Sequence, residues 1–377
     1  MKVVFIGTRG IPGIQGGVET RCEHLCPRLV NRGCEVVVFT RKPYVKGPDR
    51  VFRGVTLIPL GCPKQKHLEA IVHSLRAVLH ARKLAPDILH IQAIGPSLMT
   101  PLAKMLGMRV VITTPGSDYQ RQKWGPIAKA ALRLGEYLGC RWADQVICVS
   151  EAIAAEVERK CRHRPVVVLN GVEIPQPLAT HEALTTYGLE KGRYILTVGR
   201  LVPEKGFHDL IEAFGRLQAS SAAKNLGQWK LVIVGVADHE DRYSRDLQEQ
   251  ASRTPNVIFT GFVTGTPRAE LYSHAGLFAL PSYFEGLSLA LLEAMSYGLS
   301  CLVSNIPANR AVALAPERYF RAGDIQGLVE KLQEFLKRPL SEQERSAQLQ
   351  RIAERHNWEA IADQTLELYR SVLSRPR

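Results

Sequence analysis

Residues 278–305 read FALPSYFEGLSLALLEAMSYGLSCLVSN, and this stretch decides the fold. The apolar run from Leu277 to Leu280 predicts a strand, which Pro281 and Ser282 end. Beyond the loop Glu285-Gly286-Leu287-Ser288, the apolar residues Leu289, Leu292 and Met295, with Ala290 and Ala294, recur at helical spacing and stop at Gly298. Strand, loop and helix follow one another, and Cys301 to Ser304 then predicts the next strand.

A loop of this kind turns the first helical N–H groups outward, where the helix dipole favours negative charge. The amides of Gly286, Leu287 and Ser288 therefore suit a phosphate. Glu285 stands before the helix and Glu293 lies eight residues on, so the two carboxylates are separated by roughly 12 Å along the axis. That matches the reach from a hexose, across a diphosphate, to a ribose. Taken singly, either glutamate reads as well as an acid at a helix start or on an exposed face.

The E-x7-E spacing, the run EGLSLALLEAMSYG and the later SNIPANR together resemble the donor site of retaining family 4 glycosyltransferases of the GT-B fold. That resemblance implies two Rossmann-like domains facing across a cleft. The rest of the chain has the matching rhythm. Apolar runs at Val3–Ile6, Glu35–Thr40, Val55–Leu60, Ile88–Gln92, Val110–Thr113, Gln145–Val149 and Val166–Leu169 alternate with helical patterns, which predicts a doubly wound parallel α/β sheet. A linker, Asn170 to Pro177, follows, and the rhythm restarts at Tyr194–Val198, Lys230–Val234 and Val257–Thr260. The expected domains are residues 1–172 on the acceptor side and residues 173–357 for the nucleotide-sugar donor. A last helix in residues 358–377 resembles the family's terminal helix that crosses back to the first domain.

Further site residues come from two glycine-bearing loops. After the first strand, GTRGIPGIQGGVET lacks the G-x-G-x-x-G dinucleotide fingerprint, which argues against a dehydrogenase. Gly7 and Gly10 also fit an ordinary β-α turn, whereas Gly16 and Gly17 resemble the family's loop that touches the donor phosphate; Glu19 reads as a first-turn dipole partner. GRLVPEKGF places Arg200 and Lys205 around a turn just past a strand. Alone they read as surface cations; the match to the family's G-R-L-x-x-x-K-G motif implies that they hold the departing diphosphate. Gly235 and its neighbours, with Phe262 and Val263, are candidates for the base pocket, and Asp238 and Asp241 read as a solvent-exposed polar loop. No D-x-D motif occurs, so the expectation is a metal-independent site with a nucleoside-diphosphate sugar as co-substrate and no cofactor.

One position departs from the family. Many relatives carry a histidine before the glycine of the segment Ile112-Thr113-Thr114-Pro115-Gly116, and this chain has Pro115 there. Thr114, Ser117 or Asp118 takes over that role, or His90 compensates, or donor preference or activity differs. On the acceptor side, Asp118, Tyr119 and Arg121 lie in an aromatic and basic cluster suited to a lipid headgroup or a sugar-diphosphate carrier.

The totals agree with this picture. A chain of 377 residues is longer than one core usually supports, and 45% hydrophobic residues is globular. The net charge of +13 lies wholly in the first half: through Thr180 there are 26 Lys and Arg against 13 Asp and Glu, and beyond it 23 against 23. A basic domain on a neutral partner suggests an anionic membrane surface or acidic acceptor, and no nucleic-acid motif accompanies the charge. No segment has about 18 uncharged apolar residues, and the opening run is too short for a signal peptide, so a cytoplasmic enzyme, peripheral on the inner face of the membrane, is expected. The eight cysteines read as free thiols; Cys22, His24 and Cys26 form at most half a metal site, and packing explains the two thiols better. The reading is a retaining hexosyl-type transferase from a nucleotide-sugar to a saccharide or lipid-linked acceptor in cell-surface polysaccharide biosynthesis. A sugar-nucleotide epimerase of the same architecture and a non-catalytic nucleotide- or lipid-binding scaffold are the rival readings.

Overall fold

Apolar runs bury both faces of their backbone, and that requirement produces two parallel sheets covered by helices. The computed structural model describes residues 1–45, 50–63, 68–116, 119, 125–161, 164–220, 229–238 and 240–376. Its contacts divide the chain into two units, Met1–Gly171 with Trp358–Arg377, and Val172–Asn357.

In the first unit the strands are β1 (Lys2–Ile6), β2 (Glu35–Arg41), β3 (Val51–Phe52), β4 (Val55–Leu60), β5 (Ile88–Gln92), β6 (Val110–Thr114), β7 (Gln145–Cys148) and β8 (Val166–Val167). They are ordered β3-β4-β2-β1-β5-β6-β7-β8, and all neighbours are parallel except β3 and β4. Alternate residues, among them Val3, Phe5, Val36, Val38 and Val111, share one core with helices Gly17–Asn31 and Trp358–Ser374. Cys22 and Cys26 are buried in that core, and His24 stacks on Trp358 at 5.3 Å. His90 on β5 is fully buried and binds the hydroxyls of Tyr369 and Thr113, the latter at 2.7 Å. It fastens the last helix to the sheet, so its part is structural.

The second unit contains β9 (Tyr194–Val198), β10 (Lys230–Val234), β11 (Val257–Gly261), β12 (Leu277–Leu280), β13 (Cys301–Ser304) and β14 (Tyr319–Phe320), ordered β11-β10-β9-β12-β13-β14 and parallel throughout. Ile195, Leu231, Ile233, Ala279 and Leu302 pack against Phe207, Leu210 and Phe214 of helix Phe207–Ala219. Both sheets are doubly wound, as the alternation of the sequence predicts. Val172 begins the second unit through a parallel bridge to Asn357 and an N–H bond to the His356 carbonyl at 2.8 Å.

One close approach fixes the loops of the second sheet. Gly206 has φ +66°, and a Cβ there would lie 2.3 Å from the Pro281 carbonyl oxygen. Gly206→Ala therefore meets both backbone strain and a clash, whereas at Gly192, φ +73° with nothing within 4 Å, alanine meets strain alone. We predict that Gly206→Ala lowers stability by about 1–3 kcal/mol more than Gly192→Ala, read from urea unfolding midpoints; equal losses would contradict the contact.

Burial and the Arg41 charge lower the pKa of His73 to about 4, and burial, with Arg21, holds His90 well below the usual range. The folded state keeps both rings neutral while the unfolded chain protonates near pH ~6.5. Their stabilising contribution is complete above that pH and is lost as the pH falls toward the folded values. The unfolding free energy should drop between pH ~6.5 and ~4.5 by about 2 kcal/mol for His73, and His73→Gln should flatten the curve.

Candidate active site

The strand order of the second sheet reverses between β9 and β12, and a crevice opens where loops leave such a switch point at the carboxyl ends of the strands. Arg200 and Lys205 follow β9; Ser282, Glu285 and Ser288 follow β12. The two loops are bonded to each other. The Glu204 carbonyl accepts from the N–H groups of Tyr283 at 2.8 Å and Phe284 at 3.4 Å, and the Tyr283 hydroxyl donates to Asp209 at 2.6 Å.

Within this frame Lys205 Nζ donates to Glu285 Oε1 at 2.5 Å, and Ser282 Oγ donates to the same oxygen at 2.8 Å. The lysine and glutamate side chains are only 14% and 12% exposed, so their charges meet with little screening by water. Arg200 Nη1 pairs with Asp238 Oδ2 at 2.7 Å. Asp238 is thus held by a cation instead of lying in an open polar loop. Asp241 also has a defined part: its side chain accepts from the Ser244 N–H at 2.9 Å and caps helix Arg242–Ser252.

Ser288 caps helix Leu289–Ser296, accepting from the Leu291 N–H at 3.4 Å, with Gly286 and the buried Leu287 just before it. Glu293 lies inside that helix. Its Oε1 accepts from Arg268 at 3.0 Å and its Oε2 from the Tyr272 hydroxyl at 2.9 Å. Burial and the Glu293 charge push the Tyr272 phenol well above its ordinary pKa, which keeps it a donor. Gly235, φ +139°, follows β10 and its N–H donates to the Gly261 carbonyl at 2.8 Å. Just beyond β10 and β11, Val236 and Phe262 remain 39% and 42% exposed.

Gly16 and Gly17 belong to the first unit, where Gly16 caps and Gly17 begins helix Gly17–Asn31. A Cβ on Gly16 would lie 2.1 Å from Glu19 Oε2. Glu19 is buried and braces the loop, accepting from the Arg9 N–H at 2.9 Å and from Arg9 Nε at 3.3 Å. Asp118, Arg121 and Ser117 lie outside the described residues. Tyr119 is buried, its hydroxyl on Glu136 at 2.9 Å and its ring under Arg133 and Lys160, so it packs the first unit and offers no open aromatic platform. Thr114, next to Pro115, is fully buried.

Sequence reasoning missed Ser282, Arg268, Tyr272 and the Tyr283–Asp209 contact. Only Ser282, three residues before Glu285, had a local signal; the others come from loops or helices distant in the chain.

Residues 15–175 match the family Glycosyltransferase Family 4, and residues 186–366 match the family Glycosyl transferases group 1. Glycogen synthase of Mycobacterium tuberculosis is 26% identical over 98% of this chain and 94% of its own length. O-antigen chain mannosyltransferase B of Escherichia coli is 26% identical over 50% of this chain and 48% of its own. The solved structure of sucrose-phosphate synthase from Thermosynechococcus elongatus superposes with a TM-score of 0.83 at 22% identity, covering 99% of each chain, a likeness of fold. With a glycosyltransferase family matched in each half and two Rossmann-like sheets, the chain is a glycosyltransferase of the GT-B fold.

Proposed function

We propose that this enzyme is a retaining hexosyltransferase of the family 4 kind. It moves a sugar from a nucleoside-diphosphate donor to a saccharide or lipid-linked acceptor in the cytoplasm, in the assembly of cell-surface polysaccharide. The observation that carries the reading is the pairing of Lys205 with Glu285 beside Arg200 at the switch point of the second sheet. The opening GTRGIP and GGVET segments and the O-antigen mannosyltransferase among the relatives support the polysaccharide role.

Two fixed cations at the ends of one turn provide the charge neutralisation that a leaving diphosphate requires, so no metal is needed for that task. When the diphosphate takes Lys205 as its partner, Glu285 is released toward the sugar hydroxyls while Ser282 keeps it oriented. The bond to the diphosphate loosens into an oxocarbenium-like state, the acceptor attacks from the same face, and a leaving-group oxygen takes the acceptor's proton. Glu285 stabilises the developing positive charge, and the amides at Gly286 to Ser288 receive phosphate oxygens. Arg268 and Tyr272 fix the Glu293 carboxylate, whose remaining lone pairs accept the ribose hydroxyls. Val236 and Phe262 flank the base.

Glu285→Ala should reduce transfer at least about hundredfold while nucleotide affinity changes little; full activity in that variant would end the assignment. Glu293→Gln should weaken nucleoside-diphosphate binding about tenfold and leave inorganic pyrophosphate binding unchanged, because only the former carries a ribose. NMR of the first-formed product should show the donor's anomeric configuration; an inverted product would exclude the front-face course, and turnover of donor without acceptor would favour an epimerase.

A further inference from the structure

The first unit carries an apolar surface that its own fold leaves uncovered. Helix Glu69–Leu84 turns Ala77, Val78 and Ala81 inward, while Leu68, Ile71, Leu75 and Leu79, each 40–48% exposed, form a stripe along its outer side. Helix Pro126–Trp142 repeats the arrangement. Its Gly135, Gly139 and Cys140 are buried, and Ile127, Leu134 and Tyr137 are 88%, 50% and 52% exposed. Between them the segment Pro96–Met105 packs on both helices and ends at Met105, 76% exposed.

Topology puts all three segments in one layer. The crossovers β4 to β5, β5 to β6 and β6 to β7 advance in the same direction across the sheet, so right-handed connections place their helices on one face. The crossover β1 to β2 runs the other way, and helix Gly17–Asn31 lies on the opposite face with Trp358–Ser374.

The charges on the two faces differ. On the opposite face Arg28 and Arg32 pair with Glu359 and Asp363. On the striped segments Arg76, Arg82, Lys83, Arg133 and Arg141 are exposed, and their sole carboxylates, Glu69 and Glu136, are buried; the next helix of the layer, Glu151–Cys161, carries exposed Glu151 and Glu158 beside Arg159 and Lys160. Leucine and isoleucine side chains flanked on their own segments by exposed cations and no exposed acid complement a surface that is apolar beneath and anionic above. A second copy docked on the same face would set cation against cation.

We infer that this face seats the enzyme on an anionic lipid bilayer, with the stripes entering the boundary between headgroups and acyl chains and the arginines and lysine meeting the phosphates. None of the described helices is long and apolar enough to cross a membrane, so the attachment is to one leaflet. The inference stands apart from the identity of donor and acceptor.

The test is co-sedimentation of the full chain with vesicles of phosphatidylcholine alone and of phosphatidylcholine with about a third phosphatidylglycerol. The chain should pellet with the anionic vesicles and remain in solution with the neutral ones. The double variant Leu75→Glu/Leu79→Glu, and separately the triple variant Arg76→Glu/Arg82→Glu/Lys83→Glu, should each lower the partition at least about tenfold. Lys337→Glu, in the second unit, should bind like the parent. The triple variant changes solvated positions and keeps the test decisive where the double variant fails to fold. Nucleotide titration of each variant, expected to match the parent, separates loss of this surface from failure of the donor site. No pelleting with anionic vesicles, equal pelleting with neutral ones, or variants that bind as the parent would overturn the inference. So would analytical ultracentrifugation showing a dimer that the double variant dissociates, which would make this face a contact between copies.

Discussion

The candidate site depends on how closely the backbone after β9 approaches the backbone after β12. The contact of Gly206 with the Pro281 carbonyl leaves no room for a side chain, and the bonds from Tyr283 and Phe284 to the Glu204 carbonyl hold the approach. Because of it a lysine and a glutamate eighty positions apart meet at 2.5 Å. The first sheet has a similar contact at its own switch point, between β1 and β5: Gly7, φ +96°, would place a Cβ 2.2 Å from the Gln92 carbonyl. In both sheets a glycine lets the chain turn where the strand order reverses, a position that binds ligands in doubly wound folds.

The electrostatics of the two units are arranged to different ends. At the candidate site of the second unit the charges are partly buried and matched: Lys205 with Glu285, Arg200 with Asp238, Arg268 with Glu293. Such pairs contribute little net stability once desolvation is counted, and each cation gives up little when a diphosphate replaces its partner. In the first unit the Gly-rich loop is braced internally by Glu19 and Arg9, and exposed cations flank the apolar stripes of one helix layer. One set suits a small anionic ligand, the other an extended anionic surface.

The fold was legible because strands buried on both faces appear as unbroken apolar runs, and ten-residue or longer helical patterns separate them. β3 and β14, two residues each, have no period to detect. The placement of Arg200, Lys205, Glu285 and Glu293 beside the second sheet was legible from the strand ends they follow and from the resemblance to the family's motifs, but their partners were not. Asp238 looked like a solvated loop acid because its cation belongs to another loop, and Arg268 and Tyr272 come from a helix that the motif does not include. Tyr119 looked like part of an acceptor surface because it stands among cations; its hydroxyl instead finds Glu136, seventeen positions away. For His90 the decisive partner, Tyr369, lies 279 positions along the chain. Long-range pairing of polar groups is set by topology, which local periodicity does not encode.

The central claim is that the switch point of the second sheet holds a nucleoside diphosphate through Arg200 and Lys205. Calorimetric titration of the pure protein with UDP, GDP, dTDP and ADP, with and without EDTA, tests it most directly when repeated on Arg200→Ala and Lys205→Ala. The account predicts clear preference for one nucleotide, unchanged by EDTA and weakened at least about tenfold in each variant. Binding of none of the four, or binding indifferent to both substitutions, would contradict it.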